Sequence, residues 1–284
     1  METRWMYHTS ATLPEIRDAA KGTCIIPIGC VEKHGLHMPL GTDTMAASHI
    51  VYEASQIEPV CVFPDFIFGA IPTRKEKHNL GNVTLPLSTL LLLLEQLCDQ
   101  ISQNGFKKIL IYNGHGGNCS WISAFLQDID NRNKDYVVCA ITVDEEAPFK
   151  MANHLEKNGS GSIPELTPED EADLLKCKEL NVVYGHACYG EAAVMTDMHP
   201  ELMRYDLLGK ESGVHTHDSD KYNAVDLQVR DGGWNLEFPN AYAGEFPVYP
   251  NARIARAAVR MAAERVARAV KVLKDDERLL GDIR

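Results

Sequence analysis

Two short stretches hold most of the chemistry in this chain. Gly29-Cys30-Val31-Glu32-Lys33-His34-Gly35-Leu36-His37 sets a carboxylate beside an imidazole, and Leu40-Gly41-Thr42-Asp43 adds a second carboxylate. Asn113-Gly114-His115-Gly116-Gly117-Asn118 is a glycine-rich turn with a histidine at its centre. Glu32, His34, Asp43 and His115 together offer oxygen and nitrogen donors, a mixture that suits zinc, manganese or iron(II) better than calcium or an iron–sulfur cluster. A carboxylate can bridge two ions, so Asp43 is expected to organise a pair about 3.5–4 Å apart. Such a pair lowers the pKa of water and polarises the bond under attack.

For one site to form, both stretches must leave a sheet at the same end. Each follows an apolar run, Cys24 to Ile28 in one case and Ile109 to Tyr112 in the other. Further strands are expected at Cys61 to Pro64 and Tyr136 to Val143. Helices are expected from Thr44 to about Ser55, from Pro86 through Leu90, Leu94 and Ile101, and from Asn118 to Asp130. Near-continuous apolar strands alternating with helices imply an α/β fold with a mostly parallel sheet covered on both faces. Ligands of such sheets sit beyond the carboxyl ends of the strands. Lys157 to Ile163 reads as a flexible loop. Thr167-Pro168-Glu169-Asp170-Glu171 reads as a helix start whose acids serve the helix dipole and solvation. A long C-terminal helix carries the apolar stripe Ile254, Ala258, Met261, Ala262, Val266, Ala269 and Leu273, with Arg253, Arg256, Arg260 and Arg268 largely on its other face.

The chain has 284 residues, 45% of them hydrophobic and 24% charged, enough for a sizeable core. No internal repeat or boundary is visible, so one domain over residues 1–284 is expected. A net charge of −12 argues against a nucleic-acid backbone or an anionic membrane as partner. The cysteines are scattered without a CxxC pair, which fits a reducing cytoplasm better than a disulfide framework. No leader pattern or bilayer-length apolar run is seen, so a cytoplasmic location is expected.

Pro27-Ile28-Gly29-Cys30-Val31-Glu32-Lys33-His34-Gly35-Leu36-His37-Met38-Pro39-Leu40-Gly41-Thr42-Asp43 resembles the opening motif of the creatininase (creatinine amidohydrolase) family. Asn113 to Asn118 resembles its second motif. Lys77-His78-Asn79-Leu80-Gly81-Asn82-Val83-Thr84 resembles the segment between them. His186-Ala187-Cys188-Tyr189-Gly190-Glu191 looks like a weakened third motif, normally His-Ala-Gly, two variable residues, then Glu-Thr-Ser. The resemblance implies a three-layer α/β/α fold, often assembled as a hexamer, so a homo-oligomer is expected. It also implies two divalent metal ions per chain and hydrolysis of a small, often cyclic, substrate. Glu32, Asp43 and a further glutamate would hold one ion; His34, Asp43 and His115 would hold the other. Creatininase proper has a glutamate where this chain has Gly117, so Glu191 is expected to supply the missing carboxylate and to share in catalysis. His186 is expected to donate a proton to the leaving group. Gly116 and Gly117 offer backbone N–H groups to an oxyanion, His78 is expected to face the pocket, and His37 to support the ligands from behind. His215-Thr216-His217-Asp218 is expected at the substrate mouth or the surface.

Gly116 replaces an aromatic residue, Ala192-Ala193 replaces Thr-Ser, and no tryptophan lies between Trp121 and Trp234, so creatinine itself is not the expected substrate. The resembled family also contains ring-opened purine or pyrimidine deformylases, a peptide-trimming enzyme and hydrolases of oxidised inositol rings. The expected activity is metal-dependent cleavage of a C–N bond in a small cyclic amide. One alternative is a C–C hydrolase opening an oxidised inositol ring. Another is a non-catalytic ligand- or nucleotide-binding module built on the Gly-rich turn, although G-x-G-x-x-G and Gly-Lys-Ser/Thr are missing. A cysteine hydrolase using Cys119 or Cys188 would leave Glu32 and Asp43 without a role.

Overall fold

The computed structural model describes residues 1–71, 80–142, 147–180, 185–229, 233–246 and 248–281. Its strands are β1 (Thr23–Ile28), β2 (Cys61–Val62), β3 (Lys108–Asn113) and β4 (Val137–Thr142), all parallel and in the order β2-β1-β3-β4. Its helices are α1 (Leu13–Ala19), α2 (Thr42–Ile57), α3 (Leu87–Gln103), α4 (Cys119–Asp130), α5 (Ala147–Asn158), α6 (Pro168–Glu179), α7 (Tyr189–Met198), α8 (Asp220–Asn223), α9 (Trp234–Glu237), α10 (Ala252–Asp275) and α11 (Arg278–Gly281).

Strand side chains alternate between faces, and both faces are apolar. Cys24, Ile26, Ile28, Ile109 and Ile111 meet Ile16 of α1, Leu90 and Leu94 of α3, and Phe125 of α4. Ile25, Leu110 and Tyr112 meet Ala47 and Ile50 of α2 and Val259 and Val266 of α10. A third apolar cluster gathers Leu155 of α5, Leu174 of α6 and Met195 of α7 around Ile254 of α10. This is the three-layer α/β/α arrangement. No described helix is long and apolar enough to cross a membrane.

Several boundaries differ from the sequence expectation, and one difference matters for the site. α2 starts at Thr42, not Thr44, which puts Asp43 in its first turn, where the helix dipole favours an anion. Pro86 precedes α3 instead of lying within it. β2 stops at Val62, α5 runs on to Asn158 before the turn at Gly159, and Val143 lies outside the described residues. The acids of α6 also do more than serve solvation. Asp170 completes a capping box with Thr167 and accepts hydrogen bonds from Arg253 at 2.6 and 2.9 Å, while being 1% exposed. Arg256 and Arg260 likewise pair with Glu53, Asp197 and Glu165, so the polar face of α10 clamps its neighbours.

The register that positions the site is Ile28 opposite Asn113. It makes the two motif segments leave the sheet side by side, with the first turn of α2 above them. Gly114 allows that approach, because a Cβ there would stand 2.6 Å from the Asp43 carbonyl oxygen and 2.8 Å from Ala47 Cβ. Gly114→Ala is therefore expected to cost about 2–3 kcal/mol in denaturant unfolding. A cost below about 0.5 kcal/mol would show that α2 is not held this tightly.

Candidate metal centre

Asp43 is the hub. Its Oδ1 lies 2.9 Å from His34 Nε2 and its Oδ2 lies 2.9 Å from His115 Nδ1. Glu32 Oε1 joins the second side, 3.0 Å from His115 Nδ1, and Glu191 Oε2 joins the first, 3.8 Å from His34 Nε2. Ligands around one tetrahedral ion at about 2.0–2.1 Å would be roughly 3.3 Å apart, and these separations bracket that value. Glu32 Oε1 is buried and receives no aligned hydrogen bond despite its close nitrogen neighbour, the state of a donor waiting for a cation.

The imidazoles are oriented for the same purpose. His34 Nδ1 donates to the Glu32 carbonyl at 3.1 Å and His115 Nε2 to the Ala70 carbonyl at 3.3 Å. A carbonyl can only accept, so each ring is protonated on its outer nitrogen and directs a lone pair at Asp43 when neutral. The His115 turn is itself pinned. Asn113 Oδ1 accepts the His115 N–H, and Asn118 bonds to Ala70, Gly29 and Trp121. These two asparagine roles were not read from the sequence, although both residues frame its second motif.

A family model described as creatininase, creatinine amidohydrolase, matches residues 9–270. The chain belongs to the creatininase family. It is 29% identical over 205 residues to 2-amino-5-formylamino-6-ribosylaminopyrimidin-4(3H)-one 5'-monophosphate deformylase of Methanobrevibacter ruminantium, covering 68% of this chain and 80% of that protein. It is 29% identical over 125 residues to a mycofactocin precursor peptide peptidase of Mycolicibacterium smegmatis, covering 41% and 49%. A creatinine amidohydrolase of Pseudomonas putida is 24% identical over 108 residues, covering 36% and 42%. The chain thus spans about half the length of the peptidase and the amidohydrolase. Among solved structures, a manganese creatininase superposes with a TM-score of 0.70 at 15% identity, covering 97% of this chain and all of that one. A mutant creatininase of Zn-Zn type gives 0.69 at 16%, with the same coverage. At this identity the likeness establishes the fold.

Within this creatininase fold the donor atoms fall into overlapping groups. Glu32, Asp43 and His115 lie together on one side of Asp43, His34, Asp43 and Glu191 on the other, and Glu32 also comes near His34 and His186. Glu191 sits in the first turn of α7, where its Oε2 also accepts the Ala187 N–H at 2.6 Å. It is a helix-start glutamate and a member of the cluster at once. His37 stands behind, donating to the Ala187 carbonyl at 3.0 Å.

His186, expected to donate a proton to the leaving group, is held by one ring nitrogen and has the other turned toward the cluster. Nε2 donates to the Lys33 carbonyl at 2.7 Å, which leaves the Nδ1 lone pair facing Glu32 Oε1 at 3.6 Å. Burial, then the neighbouring His34, hold it below the ordinary imidazole value, so it is neutral at pH 7. Trp234 meets its ring edge-on at 5.8 Å, and Phe238 and His215 continue an aromatic wall outward. Local spacing does not tie Trp234 to His186; the backbone pair His186–Ala243 brings the two segments together. His215, His217 and Asp220 form a separate, more exposed group at the outer end of the wall. Gly116 and Gly117 are exposed and open a 3-10 turn whose first N–H groups have no intrahelical acceptor. A side chain at Gly117 would stand 2.5 Å from His115 Nε2, so this backbone has no room for the glutamate of creatininase proper. His78 lies outside the described residues. The Cys119 thiol contacts Asn113 and Thr142, not His115.

Burial alone would depress His34, but Asp43 and Glu191 outweigh it and hold the ring up at about 10. His115 is raised in the same way, against burial, by Glu32 and Asp43. Metal-free protein therefore gains stability from protonating these rings. That gain is complete below their unfolded value of about 6.5 and fades as pH rises through the folded values. The unfolding midpoint of chelated protein is expected to fall between about pH 7 and 9.5, relative to metal-loaded protein whose imidazoles stay neutral ligands. Parallel pH profiles for the two forms would contradict this electrostatic account.

Proposed function

We propose that this protein is a metal-dependent hydrolase that cleaves the carbonyl–nitrogen bond of a small cyclic amide. The observation that supports the proposal is that the two Asp43 oxygens each lie 2.9 Å from a different imidazole, with Glu32 and Glu191 close by. Glu32, Asp43 and His115 would hold one divalent ion, and His34, Asp43 and Glu191 the other. Zinc, manganese or iron fits these donors. When bound, such a pair supplies an acidified water and a Lewis acid for the carbonyl.

The protein's own side chains then divide the work. Neutral His186 would take a proton at Nδ1 from the attacking water and, once charged, pass it to the nitrogen as the carbonyl–nitrogen bond breaks, releasing an amine and a carboxylate. The N–H groups of Gly116 and Gly117, which follow His115 in the chain, would serve a developing oxyanion. Trp234 offers an apolar edge to a flat ring beside His186. The related peptidase, deformylase and amidohydrolase are all named for reactions at a carbonyl–nitrogen bond, which favours C–N over C–C cleavage.

A panel of cyclic amides, with an oxidised polyol ring as the C–C control, tests this reading. Turnover of at least one amide should vanish with a chelator and return with metal, while alkylation of Cys119 should leave it intact. Asp43→Asn should lose both bound ions by elemental mass spectrometry and at least about 10³-fold in kcat/KM. Turnover that survives complete removal of metal would sink the proposal. Release of a carboxylate from the polyol ring without turnover of any amide would favour the C–C reading.

A further inference from the structure

Cys30 lies beside the centre and has so far been given no task. It is fully buried, and its thiol donates a hydrogen bond to a carboxylate, with Sγ 2.9 Å from Asp43 Oδ2. Its position is fixed from two sides. The Thr44 hydroxyl donates to the Cys30 carbonyl at 2.9 Å, and the chain at Gly69 closes in so tightly that a Cβ there would stand 2.5 Å from Cys30 Cβ. A cysteine serving only as a small apolar filler would be expected to face apolar atoms. Here donor atoms of Cys30, Glu32, Asp43 and His115 all lie within 4.8 Å of one another. Glu32 is 6% exposed, and its Oε1, 3.0 Å from His115 Nδ1, receives no aligned hydrogen bond.

We propose that Cys30 is a fourth protein ligand at the Glu32–Asp43–His115 position, giving that ion a sulfur donor which the His34–Asp43–Glu191 position lacks. The inference rests on the two-ion reading above. On binding, the thiol proton now donated to Asp43 Oδ2 would be given up to solvent, and the sulfur and that oxygen would both be free to hold the ion. A thiolate is a soft donor that favours zinc or cobalt over manganese, whereas nitrogen and oxygen donors discriminate less. The two positions would then differ in metal preference, with the thiolate side selecting the softer ion.

Cobalt(II) reports this directly, because a bound thiolate adds an intense near-ultraviolet charge-transfer band that nitrogen and oxygen ligands do not give. Full-length protein, chelated and titrated with cobalt, is expected to develop that band. The band should be lost in Cys30→Ser and kept in Cys119→Ser. Cys30→Ser should also take up manganese relative to zinc about tenfold more readily than wild type. Visible cobalt bands without the charge-transfer band, or a band that persists in Cys30→Ser, would overturn ligation by Cys30 while leaving the two-ion reading standing. Wild-type protein that takes up no cobalt, zinc or manganese would overturn both. If Cys30→Ser does not fold, X-ray absorption of the wild-type zinc form decides: a sulfur at about 2.3 Å supports the proposal, and a purely nitrogen and oxygen shell rejects it.

Discussion

Carboxylates are expensive to bury without a counter-charge. Glu32 and Asp43 are 6% and 2% exposed, and among the described residues the ion pairs they make are with imidazoles, not with lysine or arginine. Glu191 brings a third carboxylate to the same cluster. An imidazole answers such a need only while protonated, and a protonated imidazole cannot bind metal. Much of the surrounding structure follows from this conflict. Divalent cations would resolve it by neutralising the carboxylates and leaving the rings as neutral donors, whose tautomer the outer hydrogen bonds already fix.

The sheet makes the convergence possible. Placing Ile28 opposite Asn113 aligns two strand ends that would otherwise deliver their ligands to different places. The start of α2 at Thr42 then sets Asp43 over that junction, close enough that glycine is required at position 114. Backbone carbonyls of residues 32, 33 and 70 aim three imidazoles inward. The lone pairs are thus fixed by the main chain near the motifs, not by distant side chains, so the geometry is largely prepared in advance. Preorganisation of this kind is what two-metal chemistry needs, because a ligand that must reorient gives up part of the binding energy.

The parallel sheet and the helices that cover it were legible because they depend on local pattern. Apolar runs such as Ile25-Ile26-Pro27-Ile28 mark buried parallel strands, and Glu32, His34, Asp43 and His115 lie just past such runs. Which donors lie against which oxygen of Asp43 was not legible, since it depends on how that side chain is turned. Nor was the wall of Trp234 and Phe238, which reaches His186 through a backbone pairing between distant segments. The acidic start of α6 was legible as a capped helix start, but the ion pair of Asp170 with Arg253 was not, because packing brings them together from distant segments. Sequence periodicity reports which face is buried; it does not report which polar groups meet across it.

The central claim is that two ions sit astride Asp43, and anomalous diffraction tests it most directly. Crystals grown with zinc, measured on both sides of its absorption edge, should show two anomalous peaks about 3.5–4 Å apart. One peak should lie among Glu32, Asp43 and His115, and the other among His34, Asp43 and Glu191. A single peak, or none at full zinc loading, would contradict the account.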